Sequence, residues 1–317
     1  MMQRLDEVIV ESVRTIGISG HVRPDGDCVG STLAVYNYIR TYYPDRSVSI
    51  FLEPIPNIFR FLNRTDDIDS TYPAREAFDL FIALDCGDAD RLGAAWAYFS
   101  SARVTVCIDH HVSNLAFADE NYIFPEASST CELLFDLMGN DRITKEIAEC
   151  LYTGMVHDTG VFQYSCTSAK TMRIAGELME KGIDYPKIVD DTFYTKTYNQ
   201  NRILGRALLK SRLYFDGQCI LSVITQEDMK EFDVLPKHLD GIVSQLRVTK
   251  GVRVAVFLYE NEDGTFKAST RANDDTDLAE FAVHFGGGGH TKAAGFTMEG
   301  EIDRIIETIL RELEVRL

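Results

Sequence analysis

The chain has 317 residues, 45% of them hydrophobic and 26% charged, the balance of an ordinary globular enzyme, and its length points to two domains. Its formal net charge of −17 excludes a surface that holds long nucleic acid nonspecifically, while a local basic pocket for a short anionic substrate stays compatible with it. No apolar run approaches the roughly 20 residues that span a bilayer, and Met1 to Val10 has no signal-peptide core, so neither a membrane anchor nor export is expected.

The first half alternates strands and helices. Thr15–Ser19 reads as a buried strand and leads into Gly20-His21-Val22-Arg23-Pro24-Asp25-Gly26-Asp27-Cys28-Val29-Gly30-Ser31, where one imidazole and two carboxylates crowd into seven residues. Carboxylates this close repel one another unless a cation or a shared proton relieves them, and imidazole beside carboxylate suits a divalent ion such as Mn²⁺. Further strands are expected at Val48–Leu52, Leu80–Leu84 and Val104–Ile108, with helices at about 31–43, 57–62 and 91–100. The third strand runs into Asp85-Cys86-Gly87-Asp88 and the fourth into Asp109-His110-His111. Strands alternating with helices imply a parallel sheet covered on both faces, which binds ligands at its strand-to-helix turns.

After Glu126 the character is helical. Ser128 or Ser129 caps a helix through Met138, with Glu132 placed as in a capping box. Thr144 to Val156 forms another helix that delivers His157-Asp158-Thr159-Gly160, and two more are expected at about 168–181 and 185–192. The polar segment Thr195–Asn201 is the linker candidate, within a boundary region of 191–205. The last third differs. Hairpins are expected around Asp216-Gly217 and Asn261–Gly264, with helices at about 277–284 and 301–315. Gly286-Gly287-Gly288-Gly289-His290 lies between those helices.

Seven cysteines with no C-x-x-C pair fit a reducing cytoplasm and not a disulfide framework or zinc site. Cys107, Cys131 and Cys150 read as small core residues, and packing is the better reading of Cys28 and Cys86 as well. His21, Asp25, Asp27, Asp85, His110 and Asp158 together supply ligands from four separate turns. Two ions about 3.5–4 Å apart need a bridging carboxylate, and Asp85, alone at the end of an apolar strand, is best placed for it. Asp88 and Asp90 are explained equally well by helix capping, and His157 is balanced between supporting a ligand and simple packing. His238 and His284 read as structural or surface residues. Tyr36, Tyr38, Tyr42 and Tyr43 read as helix packing.

These residues resemble the DHH phosphoesterases, a family named after the Asp109-His110-His111 triplet. The His21–Ser31 motif, Asp85, the triplet and Asp158 stand in family order, and Gly286–His290 with Thr291-Lys292-Ala293-Ala294-Gly295 resembles the signature of the DHH-associated domain. The resemblance implies a doubly wound, mainly parallel DHH domain over 1–190 and a smaller α/β substrate-binding domain over 206–317, with the active site in the interdomain cleft. It implies one Mn²⁺ on His21, Asp25 and Asp85 and a second on Asp27, Asp85, His110 and Asp158. Asp109 is then the partner that orients a ligand imidazole, and His111 faces the scissile phosphate as hydrogen-bond donor or general acid. Gly287, Gly288, Gly289, His290 and Arg271 are expected to bind a substrate phosphate or carboxylate. Arg271 transfers less securely, because Ala272 stands where the family often has Ser. Lys292 and Arg253 are further sources of positive charge.

Within the family, the glycine-rich loop argues against inorganic pyrophosphatases, and no third oligonucleotide-binding domain or membrane span suggests the long-strand exonucleases or membrane-bound hydrolases. The remaining resemblance is to the compact two-domain oligoribonuclease and pAp phosphatase group. The expectation is therefore a cytoplasmic Mn-dependent exoribonuclease acting on short oligoribonucleotides, linear dinucleotides such as pApA, and pAp. The alternatives are a polyphosphate or pyrophosphate hydrolase and a nucleotide-binding regulator without turnover. Oligomeric state is left open, with a homodimer compatible.

Overall fold

The structure, a computed structural model, describes residues 4–317. The chain divides into two compact units, Met1–Thr195 and Lys196–Leu317.

The first unit is built on six parallel strands, β1 (Thr15–Ser19), β2 (Ser47–Phe51), β3 (Ile68–Asp69), β4 (Leu80–Leu84), β5 (Thr105–Asp109) and β6 (Glu120–Ile123), in the order β3-β2-β1-β4-β5-β6. The helices are α1 (Gly26–Tyr42), α2 (Trp96–Ser101), α3 (Thr130–Met138), α4 (Lys145–Asp158), α5 (Ala169–Glu180) and α6 (Tyr185–Val189). Side chains alternate across each strand, so Ile16, Ile18, Ile82, Leu84, Val106 and Ile108 pack with Leu33, Leu134 and Leu151 of α1, α3 and α4. Phe51, Phe81 and Ala83 pack with Phe78, Tyr98 and Phe99 in a separate cluster. Strand order reverses between β1 and β4, and the crevice outside the carboxyl ends of those strands is where such sheets bind ligands. His21 follows β1 and Asp85 follows β4.

Several local expectations are corrected. Helix α1 starts at Gly26, five residues before the expected 31, because the Asp25 carboxylate caps it by accepting from the Asp27 and Cys28 amides at 3.1 Å each. The expected helix at 57–62 is a single 3₁₀ turn, Asn57–Phe59. That at 91–100 is broken at Gly93, whose φ of 53° no right-handed helix accommodates. The segment expected at 185–192 ends as α6 and continues as a π-helical turn, Asp190–Tyr194. Strands β3 and β6 were not foreseen.

The second unit opens with α7 (Tyr198–Lys210), which occupies most of the stretch expected to be a linker. Thr197 and Gln200 form a reciprocal capping box there. It continues through β7 (Arg212–Tyr214), β8 (Cys219–Ile224), α8 (Gln226–Glu231), α9 (Ile242–Arg247), β9 (Val254–Glu260), β10 (Phe266–Ala272), α10 (Leu278–Val283), β11 (Gly288–His290), β12 (Ala293–Met298) and α11 (Ile302–Glu314). The sheet order is β11-β12-β10-β9-β8-β7, antiparallel except for β8 beside β9. Both expected hairpins are present. One core packs α10 and α11 (Phe281, Ile305, Ile309, Leu313) against Val256, Leu258 and Phe296. A second packs α7 and α9 (Ile203, Ala207, Leu246) against Ile220, Ala255 and Phe257.

All seven cysteines are free and six are buried, Cys166 being the exposed one. No described helix is long and apolar enough to cross a membrane. The tyrosines of α1 pack as expected: Tyr38 and Tyr43 donate to Asp6 at 2.7 and 2.6 Å, and Tyr36 donates to Asp67 at 3.1 Å.

Candidate metal centre

Three turns at the carboxyl ends of β1, β4 and β5 converge with the start of α1 and the last residue of α4. His21 is 3% exposed, and its Nδ1–H donates to the Val22 carbonyl at 2.8 Å, which turns Nε2 toward the carboxylates. That nitrogen lies 3.5 Å from Asp25 Oδ2 and 3.5 Å from Asp85 Oδ2. On the other side, His110 Nε2 lies 3.6 Å from Asp85 Oδ1 and 3.0 Å from Asp158 Oδ2. The two oxygens of Asp85 thus face two different imidazoles.

Distances of 3.5 Å are long for a charge-assisted hydrogen bond. They suit ligands of one ion, since donor atoms about 2.1 Å from a shared cation stand roughly 3.0–3.5 Å apart. His21, Asp25 and Asp85 form one group of atoms close enough to share an ion; Asp27, His110 and Asp158 form a second; Asp85, His110 and His111 form a third. Imidazole nitrogen mixed with carboxylate oxygen suits Mn²⁺ and its first-row neighbours.

The protonation behaviour supports a missing positive charge. Burial alone would lower the His21 imidazole, but Asp25 and Asp85 outweigh it and hold the ring up at about 10. Burial likewise opposes the charge on His110, and Asp158, Asp27 and Asp85 hold it up at about 10. Burial pushes Asp158 up to about 6 despite its contact with His110, and burial with the charges of Asp85 and Asp158 pushes Asp27 well above the carboxylate range. Burial and mutual repulsion thus favour the protonated form of Asp27 and Asp158, an imbalance that a cation between them would relieve, while His21 holds Asp25 low. The donor set fits a divalent metal.

The scaffold around these ligands is rigid. Asp27 is fully buried, and both its oxygens accept backbone amides from the first turn of α3, Thr130 N at 2.7 Å and Cys131 N at 3.0 Å. The Thr130 hydroxyl donates to Asp85 Oδ1 at 3.2 Å. Ser129 caps α3 as expected, yet Glu132 does not reach back to it. Its carboxylate accepts from the Ser128 hydroxyl at 2.6 Å and the Thr171 hydroxyl at 2.7 Å. Asp85 itself holds a φ of 53°, a left-handed aspartate at a functional turn.

Helix α4 passes so close that a Cβ on Gly154 would stand 2.6 Å from Asp27 Oδ1 and 2.3 Å from Cys131 Sγ. Gly154→Ala therefore separates two effects. Helix propensity favours it by up to ~1 kcal/mol, while overpacking costs about 1–3 kcal/mol. We expect a lower melting temperature and a Mn²⁺ affinity reduced at least about tenfold by calorimetric titration. A variant that gains stability and keeps the affinity would show that Asp27 is not fixed by this contact.

The triplet is arranged differently from the expectation. Asp109 is fully buried and bonds the Nδ1 of His111 at 2.7 Å, not a ring nitrogen of His110. The Nδ1 of His110 instead faces the Ala127 carbonyl at 3.4 Å. His157 packs its ring between Phe59 and Phe193 and against Gly26. Asp88 accepts the Arg91 amide as a turn cap.

In the second unit, Arg271 of β10 and His290 of β11 are both register partners of Ala293 on β12. Directly opposed residues share a sheet face, so the two side chains rise from one face about two strand spacings, roughly 10 Å, apart. The glycine run forms the edge strand β11. A Cβ on Gly287 would stand 2.2 Å from the Gly295 carbonyl, and Gly289 has a φ of 150° with the Ala293 carbonyl 2.5 Å from its Cβ position. Close packing on β12 requires those two glycines, whereas Gly288 has open space. Arg253 is occupied by Asp274, Gln218 and the Leu317 carbonyl, and Lys292 by Asp275 and the Asp274 carbonyl.

Two family models match the chain, one within each unit. Residues 15–155 match the DHH family N-terminal domain, and residues 216–314 match the DHHA1 domain. The chain belongs to the DHH family. This DHH protein is 28% identical over 321 residues to the bifunctional oligoribonuclease and PAP phosphatase NrnA of Thermus thermophilus, covering 100% of this chain and 94% of the relative. It is 27% identical over 310 residues to NrnA of Bacillus subtilis, covering 95% and 96%. Among solved structures, an exopolyphosphatase-related protein from Bacteroides fragilis superposes with a TM-score of 0.88 at 30% identity, covering 96% of this chain and 93% of the other.

Two contributors to the DHH site escaped the sequence reading. Thr130 bonds both Asp27 and Asp85, and its place at the start of α3 was legible from the Ser129 cap. Asn114 bonds Asp109, and only its position five residues after that aspartate could have hinted at it.

Proposed function

We propose that the protein is a phosphoesterase using two divalent ions, Mn²⁺ in the first instance, to hydrolyse short oligoribonucleotides and linear dinucleotides such as pApA to mononucleotides, and pAp to AMP. The observation that carries this reading is Asp85, whose two oxygens face His21 on one side and His110 on the other. His21, Asp25 and Asp85 hold one ion; Asp27, Asp85, His110 and Asp158 hold the other. When bound, such a pair supplies a water of lowered pKa and neutralises charge on the phosphoryl oxygens.

The remaining chemistry belongs to the protein. Asp109 holds the Nδ1 of His111, so Nε2 is the nitrogen that donates to the phosphate or protonates the leaving oxygen. Thr130 and the first amides of α3 keep Asp27 and Asp85 in place while charge develops. In the second unit, Arg271 and His290 hold an anionic group of the substrate. The names of the NrnA relatives support short RNA and pAp as substrates.

A second reading, polyphosphate or pyrophosphate hydrolysis, is favoured by the name of the Bacteroides relative. One experiment separates the two: product analysis with Mn²⁺ on pApA, a short RNA series, pAp, pyrophosphate and polyphosphate in parallel, each repeated after chelation. We expect mononucleotides from pApA and short RNA and AMP from pAp, all lost with the metal. Phosphate released from pyrophosphate or polyphosphate alone would move the assignment to the second reading.

A further inference from the structure

Asn114 lies on the loop after β5, and every polar atom of its carboxamide is used. Its Nδ2 donates to Asp109 Oδ2 at 2.7 Å and to the Cys86 carbonyl at 3.0 Å, and its Oδ1 accepts the Ala116 amide at 2.8 Å. Cys107 Sγ also lies 3.5 Å from this nitrogen, and the two shorter contacts, both to oxygen, take its two hydrogens. The reverse orientation would turn the oxygen onto two acceptors, which fixes the flip. Asp109 is fully buried, and the two oxygens of its carboxylate are divided between Asn114 and the Nδ1 of His111. His111 in turn stands with Nδ1 3.6 Å from Asp85 Oδ1. Asn114 therefore joins the turn after β4, through the residue that follows Asp85, to the carboxylate that orients His111.

We propose that Asn114 is a positioning residue for His111. By donating to Oδ2 of Asp109 it holds that carboxylate with Oδ1 toward Nδ1–H of His111, and so fixes the tautomer and ring plane that present Nε2 to the substrate. Bonding the Cys86 carbonyl with the other hydrogen ties this orientation to the turn that carries Asp85. The inference rests on the phosphoesterase reading for its kinetic consequence, although the hydrogen-bond clamp exists without it.

The Ala116 bond complicates a simple deletion, because Ala116 has a φ of 60° and the Asn114 side chain closes that turn. Asn114→Asp keeps the acceptor for the Ala116 amide and removes both donors, whereas Asn114→Ala removes everything. Both variants are compared with wild type for melting temperature, bound Mn²⁺ by elemental analysis, and kcat and KM on pApA. Each is also made in a His111→Ala background. In the metal-free protein, the downfield proton resonance of the His111 Nδ1–H, assigned by its absence in His111→Ala, gives a readout independent of activity.

For Asn114→Asp we expect kcat to fall about 10–100-fold with KM within about twofold and metal content retained. We expect no further loss in the His111→Ala background, and loss of the downfield resonance. A kcat equal to wild type overturns the proposal, as does an active Asp variant beside an inactive Ala variant, which would make the turn alone the role of Asn114. Loss of Mn²⁺ in step with kcat, or effects that multiply with His111→Ala, also overturns it. If wild type hydrolyses none of the phosphoesters, the functional reading fails, and the resonance still decides the clamp.

Discussion

Under the proposed two-ion reading, Asp85→Asn is expected to abolish hydrolysis, by about 10³-fold or more, because one carboxylate would serve both ions and the ions would supply several kcal/mol of transition-state charge stabilisation. Asn is chosen because it tolerates the left-handed backbone at this position, so the loss reports on the charge and not on a collapsed turn. The same substitution has an opposite effect on the metal-free fold. It removes one negative charge from a buried group of carboxylates, which stabilises the empty protein by ~1 kcal/mol, or about 2–4 °C in a domain of this size. Wild type gains about 2.7 kcal/mol at a Mn²⁺ concentration 100 times its Kd, and the variant gains little. The melting order of the two proteins should therefore reverse when Mn²⁺ is added. Melting curves of both proteins, with Mn²⁺ and with chelator, measure this directly. An unchanged order under the two conditions would falsify the bridging role of Asp85.

His111→Ala is the second large effect. In the proposed role of proton donor to the leaving oxygen, His111 would account for about 10²–10⁴ in rate, so kcat should fall by that factor while KM and bound Mn²⁺ change little. The structure allows a sharper contrast, because His111 also stands with Asp85 and His110 in a group close enough to share an ion. If His111 is a ligand, its removal lowers metal content together with kcat. If it is a donor held by Asp109, the ions stay and only the rate is lost. Elemental analysis beside steady-state kinetics tells these apart.

What was legible in the sequence follows the physics of each element. Strands β1, β4 and β5 are short apolar runs buried on both faces, and each ends in residues whose chemistry has no purpose in a core. Those runs and the residues after them are visible without coordinates. Strand β6, Glu-Asn-Tyr-Ile, has no run to see, and it exists because β5 offers it a ladder. Helix α7 was hidden by its polarity, although the Thr197-x-x-Gln200 box that starts it was present. The glycine run was read as a cradle for an anion, while two of its glycines are required by packing on β12. Asn114 is the instructive omission. Nothing in its neighbours marks it, since its partners Asp109, the last residue of β5, and Cys86, in the turn after β4, meet only when the sheet is formed.

The nested strand order has a consequence for how the protein is made. Strand β1, which comes first in chain order among the strands of its sheet, sits at the centre of that sheet and pairs with β4 about 65 residues later in the chain. The ligand set is complete only when Asp158, at the end of α4, has emerged. At about 5–20 residues per second, His21 waits on the order of ten seconds for its last counterpart. The His21, Asp25 and Asp85 group has all its members once Asp85 has emerged, whereas the group of Asp27, His110 and Asp158 waits for the end of α4. In the folded domain the donor atoms of each group already stand together, so stripping and restoring the ions should be reversible without the chain passing through its unfolded state.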